Sequence, residues 1–153
     1  MRLTLLKSAA EPNVDADREI HKFNYSLYPH IGNWREGKVQ VMAYKFNCHS
    51  YAEIENAHFG TLPEQLSLVS LNKENVIIEV VKKAEDSEDI IVRMFEFQNK
   101  RTKVKCSMLK EIECVSETDL LENSFKEIDV HDNNFEFEIK PYEIKTFKVK
   151  LIC

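Results

Sequence analysis

A run of carboxylates between two apolar stretches is the first feature of the sequence that could carry chemistry. Residues 83–97 read KAEDSEDIIVRMFEF and place Glu85, Asp86, Glu88 and Asp89 within five positions. Paired carboxylates hydrolyse glycosides when rigid elements hold them at a fixed separation. These four lie in one short turn, without an apolar neighbour inside it that would raise a pKa. We therefore interpret them as the solvated turn of a β-hairpin.

The histidines and glycines give no pattern typical of a metal or phosphate site. Zinc needs three or four converging ligands, and the nearest approach is Cys48 and His49 with His58. The sequence contains no G-x-S-x-G nucleophile motif, and its three glycines cannot form a phosphate-binding loop. The remaining histidines are expected to be ordinary polar residues: His21, His30 and His131. We predict no catalytic and no metal-binding residue in this chain.

An aromatic stretch, FNYSLYPHIGNW at residues 23–34, offers a second candidate site. Aromatic rings can stack on sugar faces, and Tyr28 and Trp34 lie beyond the alternating part of the stretch, where they could be exposed. The alternative is that Trp34 packs the start of a helix against a sheet, since large aromatic side chains are mostly buried. Tyr28 and Trp34 are therefore candidates for carbohydrate stacking, with packing as the alternative.

Composition limits the classes of protein to which the chain can belong. It has 153 residues, of which 43% are hydrophobic and 31% charged, with a net charge of -5. This balance is typical of a globular protein and gives no basic surface for nucleic acid. No apolar run approaches the length of a membrane span or a signal-peptide core. We expect a cytoplasmic protein with free thiols at Cys48, Cys106, Cys114 and Cys153, although a Cys106–Cys114 bridge is conceivable.

The chain alternates short apolar runs with polar turns, which is typical of an antiparallel β-sandwich. Because glycine is absent after residue 60, the turns EDSED, QNKR and HDNN must use Asn and Asp for positive φ. The predicted strands are residues 2–7, 22–28, 66–71, 76–82, 90–97, 103–108, 112–116, 135–139 and 146–152.

One segment has helical spacing instead. Val39, Met42, Ala43 and Phe46 recur at intervals of three and four, and Asn33 with Glu36 forms a capping box. We predict a helix near residues 34–46 and a long loop over residues 48–63. A composition change near residue 72 divides a helix-containing first part from an all-β second part. The first part looks like a piece of a larger sheet.

Two stretches resemble the α-mannosidases of glycoside hydrolase family 38. The first, RLTLLKSAAEPNVDADREIHKFNYSLYPHIGNWRE, carries the family's pattern at residues 7–8, 15–18, 21–25, 27–30 and 34–36. The second covers four motifs of the family's C-terminal sandwich: K-x-A-E-D, I-x-R-x-x-E, E-T-D-L-L-E and P-x-E-I-K-T. Their order matches across nearly the whole chain, and residues 48–66 are the least similar.

The resemblance implies that the chain is the C-terminal β region of such an enzyme. Residues 1–72 would be part of a larger central sandwich with one helix, and residues 73–153 a small C-terminal sandwich, built of immunoglobulin-like and galactose-mutarotase-like pieces. The family's zinc ion and aspartate nucleophile lie in an N-terminal α/β domain that these residues do not contain. The chain is thus expected to be an expressed fragment or a truncated reading frame, inactive alone and without a cofactor of its own.

The resemblance also gives the chain its expected partners. They are the N-terminal catalytic domain and, through it, an α-mannoside; a surface made for that domain could also drive self-association. In relatives the loop after the first strand approaches the catalytic domain, so Lys7, Asp15, Asp17 and Arg18 become candidates for the substrate rim. An interface salt bridge is the alternative role for them. A self-standing carbohydrate-binding module or a protein-interaction domain is the alternative function.

Overall fold

The computed structural model describes residues 2–152 and divides the chain into two compact units, with the division between Glu55 and Asn56. Among the described residues, the first unit carries the single α-helix, α1 at Val39–Asn47, and the second unit carries all the strands. The domain division near residue 72 stays a prediction. None of the helical structure in residues 2–152 is long and apolar enough to cross a membrane.

The second unit confirms the predicted β-sandwich. The strands are β1 Val69–Leu71, β2 Val76–Lys83, β3 Ile90–Glu96, β4 Thr102–Met108, β5 Ile112–Thr118, β6 Ser124–Ile128, β7 Val130–His131, β8 Asn134–Ile139 and β9 Ile144–Leu151. One antiparallel sheet has the strand order β1-β4-β8-β7, and the other has the order β2-β3-β9-β5-β6.

The inner faces of the two sheets pack around three aromatic rings. Phe135 and Phe137 alternate inward on β8, and Phe147 faces them from β9, with ring centroids 5.0 and 4.6 Å away. Val92, Met94, Val104 and Val149 complete the contacts between the sheets. The period-2 alternation of the sequence produces this core, because each strand buries one of its two faces.

Two predicted strands are wrong. Residues 2–7 and 22–28 form no strand, although residues 22–28 alternate as a strand should. Alternation decides which side chains share a face, but a strand exists only when a neighbour satisfies its backbone groups. Conversely, β6 and β7 were not predicted, because β6 is exposed along most of its length and lacks an apolar alternation.

The predicted helix is confirmed, but it starts later than expected. Asn33 Oδ1 accepts the amides of Arg35 and Glu36 at 2.9 and 3.2 Å, and Glu36 Oε2 accepts the Asn33 amide at 2.9 Å. The capping box therefore forms, but it closes a separate turn. Lys38 then adopts a left-handed conformation with φ 50, which interrupts the turn so that α1 begins at Val39.

Two of the three turns predicted to use Asn or Asp for positive φ do so, and the prediction is wrong for EDSED, where no residue has positive φ. Asn99 has φ 62 between β3 and β4, and Asp132 has φ 54 between β7 and β8. Glu122 and Tyr142 also have positive φ, at 69 and 56, which neither residue type commonly adopts. Both of these are held by hydrogen bonds of buried carboxylates.

The most deeply buried carboxylate of the sandwich, Glu96, joins three connections between the sheets. It is 1% exposed at the end of β3. Its Oε1 accepts Asn75 Nδ2 at 2.9 Å and the Gln98 amide at 2.8 Å, and its Oε2 accepts the Tyr142 amide at 3.1 Å. These donors belong to the β1–β2, β3–β4 and β8–β9 connections, each of which crosses from one sheet to the other.

The charged form of Glu96 is the form that the fold requires. Burial by itself raises the pKa of this carboxyl group, but the hydrogen bonds from Asn75 and from the amides of Tyr142, Gln98 and Lys100 outweigh it and leave the pKa below its usual value of 4.5. Because the folded-state pKa is depressed, this group stabilises the fold above its unfolded-state pKa. The contribution is lost as the pH falls through the folded-state pKa.

We expect Glu96→Gln to lower the free energy of unfolding by about 2 kcal/mol at pH 7, because hydrogen bonds to a charged group are replaced and one amide loses its acceptor. The measurement is urea unfolding followed by far-ultraviolet circular dichroism at pH 7 and at a series of lower pH values. The difference between the two proteins should shrink as the pH falls through the folded-state pKa and the wild-type carboxylate becomes protonated.

The matched control is Glu138→Gln, which removes an exposed carboxylate paired with Arg101 at 2.5 Å. Both side chains of that pair are 58% exposed, so the control should change stability little. Equal effects of the two substitutions at pH 7 would contradict the role assigned to Glu96.

Candidate functional site

The loop that carries the predicted substrate-rim residues is organised by its own polar groups. Ser8 Oγ donates to the Ala16 carbonyl at 2.7 Å, which ties the start of the loop to its far side. Asn13 Oδ1 accepts the Asp15 amide at 3.0 Å. One nitrogen of His21 lies 2.9 Å from the Asp17 carbonyl oxygen. These contacts make residues 8–21 a closed surface loop.

Two of the four rim candidates come together in this loop. Arg18 Nη1 lies 2.7 Å from Asp15 Oδ1, and both side chains are 70% exposed. An exposed pair of this kind contributes about 0–1 kcal/mol to stability, so its main effect is to orient the guanidinium group. Asp17 contributes a left-handed turn with φ 58, and Lys7 is exposed beside Ser8. Their role at a substrate rim stays a prediction.

The two carbohydrate-stacking candidates have different surroundings. Trp34 is 39% exposed, but the Arg35 guanidinium carbon lies 4.2 Å from the centre of its ring and takes one face. Tyr28 is 44% exposed, and its ring centroid lies 5.9 Å from that of His30. Each ring has exposed surface, and stacking on a sugar stays a prediction for both.

A groove of about 450 Å³ lies between Tyr28 and the exposed face of α1. The helix contributes Val39, Met42, Ala43 and Phe46 to its walls, so the lining is mainly aliphatic. Sugars are bound by aromatic faces together with hydrogen-bonding side chains, which in this groove are Ser26, Tyr28, Lys45 and Asn47, beside the four apolar side chains of the helix. The arrangement suits an apolar occupant better than a sugar.

The acidic turn is confirmed as the turn of the β2–β3 hairpin. The Ala84 amide donates to the Asp89 carbonyl at 2.8 Å and closes it. Glu88 pairs with Lys83 and Asp86 with Lys148, each at 2.5 Å. The hydrogen bond from Lys148 is the main cause of the lowered pKa of Asp86. Lysines thus neutralise Glu88 and Asp86, and these charges are engaged in the hairpin.

The E-T-D-L-L-E motif forms a loop over the outer face of the second sheet. Asp119 Oδ1 accepts the amides of Leu121 and Asn123 at 2.8 and 2.9 Å, which fixes the loop conformation. Arg93 connects the loop to the sheet. Its Nη2 donates to the Leu120 carbonyl in the loop at 3.2 Å, and its Nε donates to Thr146 Oγ1 on β9 at 3.1 Å.

Glu122 fastens this loop to the acidic hairpin. Its carboxylate, 7% exposed, lies 2.7 Å from Lys82 Nζ and accepts the Glu85 amide at 2.9 Å. The hydrogen bond from Lys82 is the main cause of its lowered pKa. Glu122, Lys82 and Glu85 come from two different motifs of the resemblance, and their contact explains why both motifs carry these charges.

The P-x-E-I-K-T motif has a structural role as well. Lys145 forms an ion pair with Glu117 between the sheets, where the two side chains are 12% and 10% exposed. Glu143 Oε2 accepts the Lys140 amide at 2.6 Å and shapes the turn that presents Tyr142 to Glu96. The structural roles of these charged residues could not be predicted from the motifs, because the partners of the charged residues lie far away in the sequence.

Within residues 2–152, no group of three or more His, Cys, Asp and Glu side chains is placed to hold a metal ion. Cys48, Cys106 and Cys114 are free thiols. The conceivable Cys106–Cys114 bridge does not form, because Cys106 is buried on β4 of one sheet and Cys114 is exposed on β5 of the other. Cys153 lies outside the described residues.

The chain is similar to known proteins along most of its length. Residues 75–147 match the family model described as the glycosyl hydrolases family 38 C-terminal beta sandwich domain. Alpha-mannosidase G of Dictyostelium discoideum is 31% identical over 95% of this chain, which covers 14% of that relative. Alpha-mannosidase 2C1 of Mus musculus is 24% identical over 99% of the chain and 15% of its own length. Alpha-mannosidase of Saccharomyces cerevisiae is 27% identical over 97% and 16%.

The burial of Cys106 gives a direct test of the placement of β4. Burial raises the pKa of the Cys106 thiol to about 12. We therefore expect iodoacetamide at pH 8 to alkylate Cys48 and Cys114 much faster than Cys106, because only the thiolate reacts. Peptide mass mapping over time measures the three rates. In urea, Cys106 should react as fast as the other two, and comparable rates without urea would contradict the buried position.

Proposed function

Because residues 75–147 are a C-terminal β-sandwich domain of glycosyl hydrolase family 38, we propose that the chain is the non-catalytic end of a larger α-mannosidase and that it braces a catalytic domain. The family resemblance predicted from the sequence is confirmed. The observation that carries the proposal is the length relation: the chain spans only 14–16% of the α-mannosidases it matches.

The contacts of the motif residues support a bracing role. Glu96, Glu122 and Lys145 each form a hydrogen bond or an ion pair with a residue from another element. Their charges therefore stabilise the fold. A reaction centre would instead need charged groups that face a cleft and remain available to a substrate. In this proposal the nucleophilic carboxylate and the zinc ion belong to the catalytic domain, which hydrolyses α-mannosidic bonds with retention.

The loop of residues 8–21 is the part of the chain that we propose to reach the substrate cleft. Arg18 pairs with Asp15 while its side chain remains 70% exposed, and Lys7 adds a second positive charge in the same segment. Arginine can donate several hydrogen bonds to sugar hydroxyls in a fixed geometry. Asp17 would support the loop through its left-handed turn.

A self-standing carbohydrate-binding module is the second candidate function. The exposed rings of Tyr28 and Trp34 favour it, and the aliphatic groove beside Tyr28 and the coverage of Trp34 by Arg35 weigh against it. Self-association through the surface made for the catalytic domain remains a prediction as well. The free thiols support a cytoplasmic location as part of the main proposal.

The first test compares this chain with a protein extended at its N-terminus by the upstream coding sequence. We expect that the 153-residue chain neither hydrolyses an aryl α-mannoside nor binds zinc. The extended protein is expected to hydrolyse the aryl α-mannoside and to bind zinc. Hydrolysis and metal content by atomic absorption are measured on the same samples. Activity of the 153-residue chain alone would overturn the proposal, and glycan binding by that chain without activity in either protein would favour the binding module.

A second test addresses the substrate rim in the extended protein. We expect Arg18→Ala to raise KM for the aryl α-mannoside about tenfold, because charge-assisted hydrogen bonds to the substrate are lost. The matched control is Arg101→Ala, which also removes an arginine from an exposed ion pair. Identical KM values for the two variants would show that Arg18 does not contact the substrate, and an interface salt bridge would then be its role.

A further inference from the structure

One end of the sandwich carries an apolar cleft of about 190 Å³. The acidic hairpin, the turn at residues 109–111 and the last residues of β9 lie at this end, which we call the open end. The walls of the cleft include Leu68, Val81, Met108, Leu109 and Leu151, with Lys110 also in the lining. Leu68, Val81 and Leu109 are 64%, 48% and 48% exposed, so water reaches the cleft.

The surfaces around the open end carry ion pairs. The outer face of the first sheet carries the exposed ion pairs Arg101–Glu138 and Lys103–Glu136. The second sheet carries the pair Lys150–Glu113 and the loop fastened by Glu122. Exposed apolar side chains also lie elsewhere on the sandwich, at Leu121, Phe125 and Ile144. At the open end, the exposed apolar side chains line one cleft, which another apolar group can cover.

The segment that leads into the open end has the matching chemistry. Residues 59–66 read FGTLPEQL and belong to the second unit, where they form neither helix nor strand. Phe59, Leu62 and Leu66 are the apolar side chains of this segment, with exposures of 108%, 79% and 46%. The apolar segment and the apolar cleft are therefore both exposed to water, and the segment lies close in sequence to Leu68, which lines the cleft.

We propose that residues 59–66 are a strap that folds back onto the open end and places Leu62 in the cleft, and that the structure shows the strap open. Leu62 precedes Leu68 by six residues, which span at most about 20 Å when extended. Leu68 is itself part of the cleft wall, and its carbonyl accepts the Leu109 amide at 3.0 Å. The cleft therefore lies within reach of Leu62.

The sequence of the strap is suited to closing. Pro63 restricts the preceding residue, Leu62, to extended conformations, which lowers the entropy lost when the strap docks. Gly60 has no atom within 4 Å of the position that a Cβ would occupy, so its backbone is free to turn. A tethered strap also has an effective concentration in the millimolar range, which a separate molecule rarely reaches.

Closing the strap would also protect the edge of the first sheet. β1 is an edge strand of only three residues, and it begins at Val69, with residues 67 and 68 between it and the strap. Short edge strands expose backbone groups that can pair with another chain. The strap would thus cover the cleft and anchor the edge strand at the same time.

The direct test is methyl nuclear magnetic resonance on the full 153-residue chain with labelled leucine and valine. We expect nuclear Overhauser effects between the methyl groups of Leu62 and those of Val81 or Leu109. Random-coil shifts for Leu62 without such effects would overturn the proposal. Effects found only between differently labelled copies in a mixed sample would also overturn it, because a second copy would then fill the cleft.

Urea unfolding of two variants gives an independent readout. Leu62→Asp places a charge in the cleft, and we expect it to lower the folded-to-unfolded ratio of the sandwich about tenfold, as the loss of a buried leucine does. Ile54→Asp is the matched control, because Ile54 is 100% exposed and lies outside the strap. Equal ratios for both variants would show that Leu62 stays in water, and the strap would be rejected.

Discussion

The sandwich depends on a single ionised carboxylate at one of its ends. A sandwich needs connections that pass from one sheet to the other, and each such connection turns backbone amides toward the interior. Three of the connections direct a donor at Glu96, which is charged and 1% exposed. A hydrophobic side chain at this position would leave those donors unpaired, and a neutral amide would satisfy only part of them. The three connections between the sheets therefore require the negative charge of Glu96.

The same logic extends to the other charged residues of the motifs. Lys82, Glu122 and Arg93 fix a loop to the outer face of the second sheet, and Lys145 with Glu117 closes the space between the sheets. Charged residues that recur in a motif are often assigned to catalysis. Here each has a structural partner, and in our proposal the chemistry belongs to another part of the enzyme, for which this sandwich is a rigid support.

Structural features that depend on residues close together in the sequence were predicted from local patterns. The core strands, the hairpin position of the acidic turn, the left-handed Asn99 and Asp132 and the capping box of Asn33 were predicted correctly. Pairing and burial were not always predicted, because they depend on residues far away in sequence. Residues 22–28 alternate but have no partner strand, and Glu96 is buried only because donors 21 and 46 residues away converge on it. For the candidate site, the sequence identified exposed residues such as Arg18 but not the pair it forms with Asp15.

The position of β9 has a consequence for the synthesis of the protein. This last strand lies at the centre of its sheet, between β3 and β5, so the sheet consists of two separate hairpins until β9 is added. Tyr142, just before β9, also provides the final donor to Glu96. Until residues 140–151 have left the ribosome, the nascent sandwich therefore holds an unsatisfied charge and two unpaired strand edges. The sheet can be completed only once β9 has emerged, and a ribosome that stalls before that point would leave a substrate for chaperones or proteases.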